Sequence, residues 1–553
     1  MPSMDTSQLH GRNISPSLFI VPRYTRGLTQ TANTLRSNLA YEPRELKFGT
    51  SGRRGEVVHL TDLEIYLNAL GELEYLQSLK PGDGGIERGS EFCFALDLRP
   101  SSTRLAHAIV RAIADAGMKP VNMGCIPTPA LMFYAVSRGQ GSIMVTGSHI
   151  PFDRNGYKLN TSRGELLKFH EQPINEAVAR VRECLYNQPC EASSFDNRGM
   201  FKPGVAPELP VPSDAARQQY LDRYIAFFGP GSLHGYRLAV YQHSAVGRDL
   251  LADLLQRLGA DVVVCGRSDE FVPIDTENID AAQLELIQSL VDGISGRIDA
   301  VVSTDGDSDR PLILGVDRAS RKVRFFGGDL VGMIVAELLG ADAVVVPITC
   351  NDAIDRGNLA GALEPKTRIG SPFVIAGMEA ARSMGRRAIC GWEANGGFLT
   401  GSDIDRAGRT LAALPTRDAF LPVLAVLVAA KEKRQSLHQL FDTLPRRFSR
   451  AALLKNYPRE QSREVVARFS QPGAETRTAL ESVFTGFGPI EKLDYTDGVR
   501  IYFASGDVVH FRPSGNADEF RIYAVADSQQ RADAVASMGV AEPDGLLRRL
   551  GRF

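Results

Sequence analysis

Three carboxylates alternate in "TDGDSDR", at Asp305, Asp307 and Asp309, with Gly306 and Ser308 between them. Like charges this close repel one another strongly unless a cation sits among them. Hard cations such as magnesium take oxygen ligands of this kind and leave positions open for phosphate or water. An EF-hand is excluded, because Arg310 stands where that loop needs glycine and no glutamate follows at its spacing. Four more loops set polar groups beside glycine. "VTGSHIPFDRNGYK" places Ser148, followed by His149, at the end of an apolar run. "HFRPSGNADEFRIY" gathers Arg512, Ser514, Asn516 and Arg521 around a Pro-Ser-Gly turn, a cradle suited to a dianion. "GWEANGGF" holds Glu393 and Asn395 two residues apart, a pairing that suits the hydroxyls of a sugar, with Trp392 for packing or stacking. "KFGTSGRRGEV" offers Ser51, Arg53 and Arg54 but neither a Walker A lysine nor a dinucleotide fingerprint.

Taken alone, Ser148 reads as a nucleophile, a turn residue or a helix cap. A hydrolase needs G-x-S-x-G, and "VTGSHIP" lacks both glycines. On an extended backbone His149 is a poor base for Ser148, because adjacent side chains point to opposite faces. Near three carboxylates and a metal, a serine has another use. It can carry a phosphoryl group, whose transfer needs positioning, charge neutralisation and one base for the entering hydroxyl.

These loops need rigid elements behind them. An amphipathic helical segment, a glycine turn and a β-branched run recur in "RLAHAIVRAIADAGMKPVNMG", "LLADLLQRLGADVVVCG" and "LVGMIVAELLGADAVVVPI". Consecutive valines suit strands buried on both faces, and the alternation predicts α/β layers with largely parallel pairing. The fold class expected is α/β: three similar mixed α/β (α/β/α) domains in series plus a C-terminal α+β domain around a central cleft. The expected boundaries are an N-terminal extension over 1–42, poorly ordered, then domains over 43–205, 206–318 and 319–442, and a phosphate-binding unit over 443–553. The proline-rich "FKPGVAPELPVP" links the first two domains. "GSIMVTGSHIP", "IDAVVSTDGDSDRP" and "RRAICGWEANGGF" each end an apolar strand in a polar loop, and ligands gather at such strand ends.

With 553 residues, 43% of them hydrophobic, the chain can build several cores. Lys+Arg 63 against Asp+Glu 65, with no basic block, argues against nucleic acid and anionic membranes as partners. Seven scattered cysteines without metal-ligand spacing read as reduced thiols in a cytoplasmic protein. The first forty or so residues, rich in Ser, Thr and Arg, allow a transit peptide, but an extension or misplaced start codon is preferred, and a secretory signal is not indicated.

The five loops, in this order, resemble the α-D-phosphohexomutase superfamily, its phosphomannomutase/phosphoglucomutase enzymes in particular. The resemblance runs from about Lys47 to Tyr523 and includes "DLRPSS" and "PTP" as further landmarks. It implies that Ser148 is phosphorylated and that Mg2+ is held by Asp305, Asp307, Asp309 and the Ser148 phosphate. It implies that Arg310, Glu393, Asn395, Arg512, Ser514, Asn516 and Arg521 bind substrate, and that Arg54 and Lys158 handle acid/base and charge while His149 helps hold the loop. Lys158 is the first candidate for taking the sugar's proton. The implied reaction moves phosphate between C6 and C1 of a hexose phosphate through a hexose 1,6-bisphosphate, which also serves as activator. Phosphoglucosamine mutase is the alternative within the class, and a non-catalytic phosphosugar-binding protein the alternative outside it. The expected partners are small hexose phosphates, with the chain a monomer or homodimer. Six positions depart from the family pattern: Gly147 and Ile150 replace Ala and Asn, Asn516 and Ala517 replace Thr-Glu, Ser371 replaces a common His, and Asn395 replaces Ser.

Overall fold

The computed structural model describes residues 33–49, 52–277, 279–514 and 518–553. Four main sheets follow one another along the chain. The first contains β1 (Arg53–Glu56), β2 (Glu91–Leu96), β3 (Lys119–Cys125), β4 (Ser142–Val145), β5 (Arg154–Thr161) and β6 (Gly164–Glu165), in the order β1-β5-β4-β2-β3 with β6 beside β5. The second contains β7 (Arg237–His243), β8 (Asp261–Arg267), β9 (Ala300–Thr304), β10 (Pro311–Val316) and β11 (Val323–Phe325), in the order β11-β10-β9-β7-β8. The third joins β12 (Ala343–Val345), β13 (Ile389–Trp392), β14 (Phe398–Thr400) and β17 (Leu414–Asp418), with β15 (Ile404–Arg406) and β16 (Arg409–Leu411) as a separate hairpin. The fourth is wholly antiparallel, β18 (Phe448–Lys455), β22 (Glu519–Ala526), β21 (Val508–Pro513), β20 (Val499–Phe503) and β19 (Ile490–Asp494) in spatial order.

The first three sheets repeat one device. β4 is parallel to β2, β9 to β7 and β13 to β12, and each then returns antiparallel, as β5, β10 and β14. The largely parallel pairing expected from sequence is therefore corrected to mixed sheets. The strand bearing each functional loop turns straight back through that loop, with no helix between, and so must pair antiparallel. β4 and β9 are buried along their whole length, as a central strand should be. The valine run of β8 departs from this expectation. It is an edge strand, and Val264 is exposed.

One hydrophobic core joins the first three units, from Met144 and Leu131 through Tyr220, Leu250 and Val302 to Trp392 and Phe420. A second lies within the first unit, and the C-terminal unit has its own, from Leu454 to Leu550. The second sheet extends through β11 to Phe325, past residue 318, and the fourth begins at Phe448. Of the leading 42 residues, 1–32 lie outside the described ones. From residue 33 the chain packs on the first unit, with Leu35 buried and Asn38 Nδ2 donating to Cys190 Sγ at 3.0 Å. The seven cysteines are free thiols. No helix among the described residues is long and apolar enough to cross a membrane.

Candidate active site

The three return loops converge on one cleft, lined on a fourth side by residues of β21 and β22. β4 stops at Val145 because Thr146 turns the chain: its hydroxyl accepts a hydrogen bond from Ser148 N–H at 2.7 Å. Ser148 sits at φ 55°, in the left-handed region, and is fully buried. The backbone at Ser148 is therefore not extended, and the expectation that His149 points to the opposite face from Ser148 is corrected. Ser148 Oγ lies 3.4 Å from His149 Nδ1 and donates to Asp305 Oδ2 at 2.9 Å. Burial, with Arg310 and Arg54 nearby, holds the His149 imidazole well below its usual pKa, so the ring is neutral.

Arg99 builds the serine loop from below. Its guanidinium donates to the carbonyls of Ser148 (2.8 Å), Ile150 (2.5 Å), Pro151 (2.7 Å) and Arg154 (2.9 Å), and Asp97 Oδ2 accepts from its Nε at 3.2 Å. A Cβ at Gly147 would lie 2.6 Å from Arg99 Cζ, so the glycine found there makes room for this clamp. The other face of Arg99 lies over the Phe271 ring at 3.9 Å, and a Cβ on Gly306 would come within 2.6 Å of Ser148 O. Two glycines thus let the serine and aspartate loops lie against each other.

The aspartates are buried, and one oxygen from each lies within 4.8 Å of the others. Asp305 Oδ1 is occupied by the N–H groups of Asp309 and Arg310. Asp307 Oδ2 accepts from Thr128 Oγ1 at 2.7 Å, in the "PTP" turn, and from Lys158 Nζ at 2.6 Å. Asp309 Oδ2 accepts from Lys158 Nζ at 2.7 Å and from Arg417 at 2.8 Å and 3.1 Å. Asp307 Oδ1 and Asp309 Oδ1 are buried with no hydrogen-bond partner. Buried orphan carboxylate oxygens are costly, and an all-oxygen set of this kind fits a hard dication. Burial, then Asp307 and Asp309, push the Asp305 carboxyl well above its usual pKa. Arg417, Lys158 and Arg310 overcome burial at Asp309 and hold it below the usual range.

Arg54, on β1, lines the cleft without a hydrogen bond or ion pair among the described residues, and burial pulls its pKa down to about 10 against the attraction of Asp307. Glu393 and Asn395 follow β13. The Asn395 amide oxygen is taken up by Gly397 N–H at 3.0 Å, and its carbonyl by Thr276 Oγ1 at 2.8 Å, so this side chain braces its own turn while lining the cleft. Trp392 faces the opposite way, stacked with Phe398 and donating to Asp329 O, which settles its role as packing. Arg512 and Arg521 are direct cross-strand partners and, with Arg310 and Ser514, line the same cleft. Asn516 and Ser51 lie outside the described residues.

The structure therefore brings together Ser148, His149, Arg54, Lys158, the three aspartates, Arg310, Glu393, Asn395, Arg512, Ser514 and Arg521. It adds Arg99, Thr128 and Arg417, and a carboxylate pair, Asp275 and Glu277, at the cleft wall. Thr128 lies in the landmark "PTP" and Arg99 in "DLRPSS", neither of which by its residue types announces such a role. A signal for Arg417 was present, as an Arg-Asp pair opening the otherwise apolar "AFLPVLAVLVAA".

The phosphoglucomutase/phosphomannomutase α/β/α domain I model matches residues 45–183, and the corresponding domain III model matches residues 327–448. A phosphomannomutase of Sinorhizobium fredii is 36% identical over 496 residues, spanning 90% of this chain and 98% of its own. One of Salmonella muenchen is 38% identical over 489 residues, spanning 88% and 93%. The crystal structure of a putative phosphomannomutase from Thermus thermophilus superimposes with a TM-score of 0.65 over 89% of this chain and 98% of its own, at 20% identity. The chain is thus a phosphomutase of the isomerase class and belongs to the phosphoglucomutase/phosphomannomutase family of the α-D-phosphohexomutase superfamily.

Proposed function

We propose that this enzyme interconverts mannose 6-phosphate and mannose 1-phosphate, and the glucose pair alongside, through a phosphorylated Ser148. The observation that carries the reading is the Ser148 hydroxyl donating at 2.9 Å to Asp305 in a buried triad of aspartates, two of whose oxygens, Asp307 Oδ1 and Asp309 Oδ1, take no hydrogen bond. The oxygen donor set favours Mg2+, which when bound would neutralise charge on the phosphoryl oxygens carried by Ser148.

In the forward half, a sugar hydroxyl attacks phosphorus as the phosphorus–Oγ bond of Ser148 breaks, giving a hexose 1,6-bisphosphate and free Ser148. After the sugar turns over, Ser148 Oγ attacks its other phosphate and the C–O–P linkage there breaks at phosphorus. Each time the attacking hydroxyl gives up a proton and the departing oxygen takes one up, so the two halves together leave the proton count unchanged. Arg54, Arg310, Arg512 and Arg521 supply the charge that holds a dianion at either end of the cleft. Lys158, whose ammonium donates to both Asp307 and Asp309, already carries a proton and is assigned to deliver it to the departing oxygen, not to take the sugar's, and neutral His149 orients the serine loop. Hexose 1,6-bisphosphate primes an unphosphorylated chain by the same chemistry.

Peptide mass analysis of the purified enzyme is expected to find phosphate on the peptide containing Ser148. A coupled assay with mannose 1-phosphate and Mg2+ is expected to show turnover that Ser148→Ala abolishes. Full activity in Ser148→Ala would end the reading, and faster turnover of glucosamine 6-phosphate would move it to the amino sugar.

A further inference from the structure

β17 carries a guanidinium into the space between the aspartate loop and the Glu393 loop. Arg417 is 3% exposed, and its fork is divided. Nε and Nη2 donate to Asp309 Oδ2, while Nη1 donates to Glu393 Oε2 at 2.9 Å. Ser371 Oγ lies 3.5 Å from Nη1 and donates to Glu165 at 2.5 Å. Two small residues make this path available. A Cβ at Gly397 would sit 2.6 Å from Arg417 Cδ, and the small side chain of Ser371 stands 3.5 Å from Nη1. The aliphatic stem fills the first gap and the fork passes the second.

Each end of the fork has a physical consequence. A carboxylate held by a charge-assisted hydrogen bond keeps one orientation, and Glu393 Oε1 takes no hydrogen bond from a described residue, so it is left for ligand hydroxyls. A unit positive charge on Asp309 opposes a dication at the neighbouring oxygens, since the repulsion acts at a few ångströms in a buried site. Resting on the mutase reading, the geometry points to Arg417 as a positioning residue that orients Glu393 toward the sugar and weakens the hold of the aspartates on the cation. Sugar recognition and cation binding are thereby coupled through one side chain. A guanidinium is suited to this and an ammonium is not, because only the planar fork reaches both carboxylates in fixed geometry.

The test separates charge from shape. In Arg417→Gln, Mn2+ binding followed by electron paramagnetic resonance is expected to tighten several-fold, while KM for mannose 1-phosphate rises about tenfold with a smaller change in kcat. Arg417→Lys keeps the charge, so its Mn2+ binding stays near wild type while KM still rises. Glu393→Gln added to Arg417→Gln should raise KM little further, because both act through one contact. A contact that merely held the fold would weaken cation and sugar binding together. Unchanged or weaker Mn2+ binding in Arg417→Gln, or multiplicative KM effects with Glu393→Gln, overturns the proposal. Circular dichroism and thermal melts of each variant check folding, with Arg417→Lys as the milder change. A wild-type enzyme without mutase activity would instead sink the proposed function, and the Mn2+ comparison would still decide the role of Arg417.

Discussion

At the scale of residues, the serine loop shows how a small side chain can be dictated by a large one far away in sequence. Arg99 reaches four carbonyls, so it reads the path of the main chain and leaves no requirement on side-chain type between 148 and 154. That is why the loop's own residues were legible in the sequence and its organiser was not. Gly147 is the one position where the clamp shows through. Gly147→Ala forces a methyl against Arg99 Cζ, and overpacking of this kind costs about 1–3 kcal/mol. The expected result is a lower melting temperature together with a reduced fraction of phosphorylated Ser148 by intact mass. An alanine variant that melts and phosphorylates like the parent would show the clamp to be dispensable. The same stretch conceals the placement of His149, because with φ 55° at Ser148 the two side chains lie 3.4 Å apart instead of on opposite faces. Nothing in "TGSHIP" announces a left-handed serine, since serine rarely adopts it.

At the scale of elements, what the sequence made visible were the ends of strands, and what it concealed was their direction. Apolar runs before "TGSH", "TDGD" and "WEAN" marked β4, β9 and β13. Their antiparallel return depends on pairing partners that residue types do not encode, and the valines of β8 look the same at an edge as in a centre. Close approach of elements is also hidden until glycine is mapped. The helix Gly328–Leu339 lies so near β13 that a Cβ on Gly332 would strike the Trp392 indole. Alanine would gain about 1 kcal/mol of helix propensity over glycine at this position. The collision is with a ring that is 1% exposed and stacked on Phe398, so it has nowhere to go, and overpacking of about 1–3 kcal/mol prevails. Gly332→Ala is therefore expected to destabilise the protein, with a red-shifted emission from Trp392, its sole tryptophan. Stabilisation with unchanged emission would show that the helix has slack.

At the scale of the whole molecule, the C-terminal unit stands apart because its core is its own, and polar contacts cross its junction with the third unit. Arg447 joins Asp352 and Asp527, Arg500 donates to the carbonyls of Ile348 and Cys350, and Asp497 accepts from Ile369 N–H at 3.0 Å. Polar junctions between separately packed units are the ones that open. The position of Asp497 is telling, because its second oxygen lies 3.5 Å from Arg512, so one carboxylate ties the junction to an arginine that lines the cleft. Its role divides cleanly between two substitutions. Asp497→Ala removes both contacts and is expected to raise KM for mannose 1-phosphate several-fold and to enlarge the radius of gyration measured by small-angle scattering, for about 1 kcal/mol of lost hydrogen bonding. Asp497→Asn keeps an oxygen for Ile369 N–H and loses only the charge toward Arg512, so it should raise KM while the radius of gyration stays with the parent. If Asp497→Ala leaves the scattering curve unchanged, the remaining arginine contacts suffice to hold the unit, and closure does not depend on this latch.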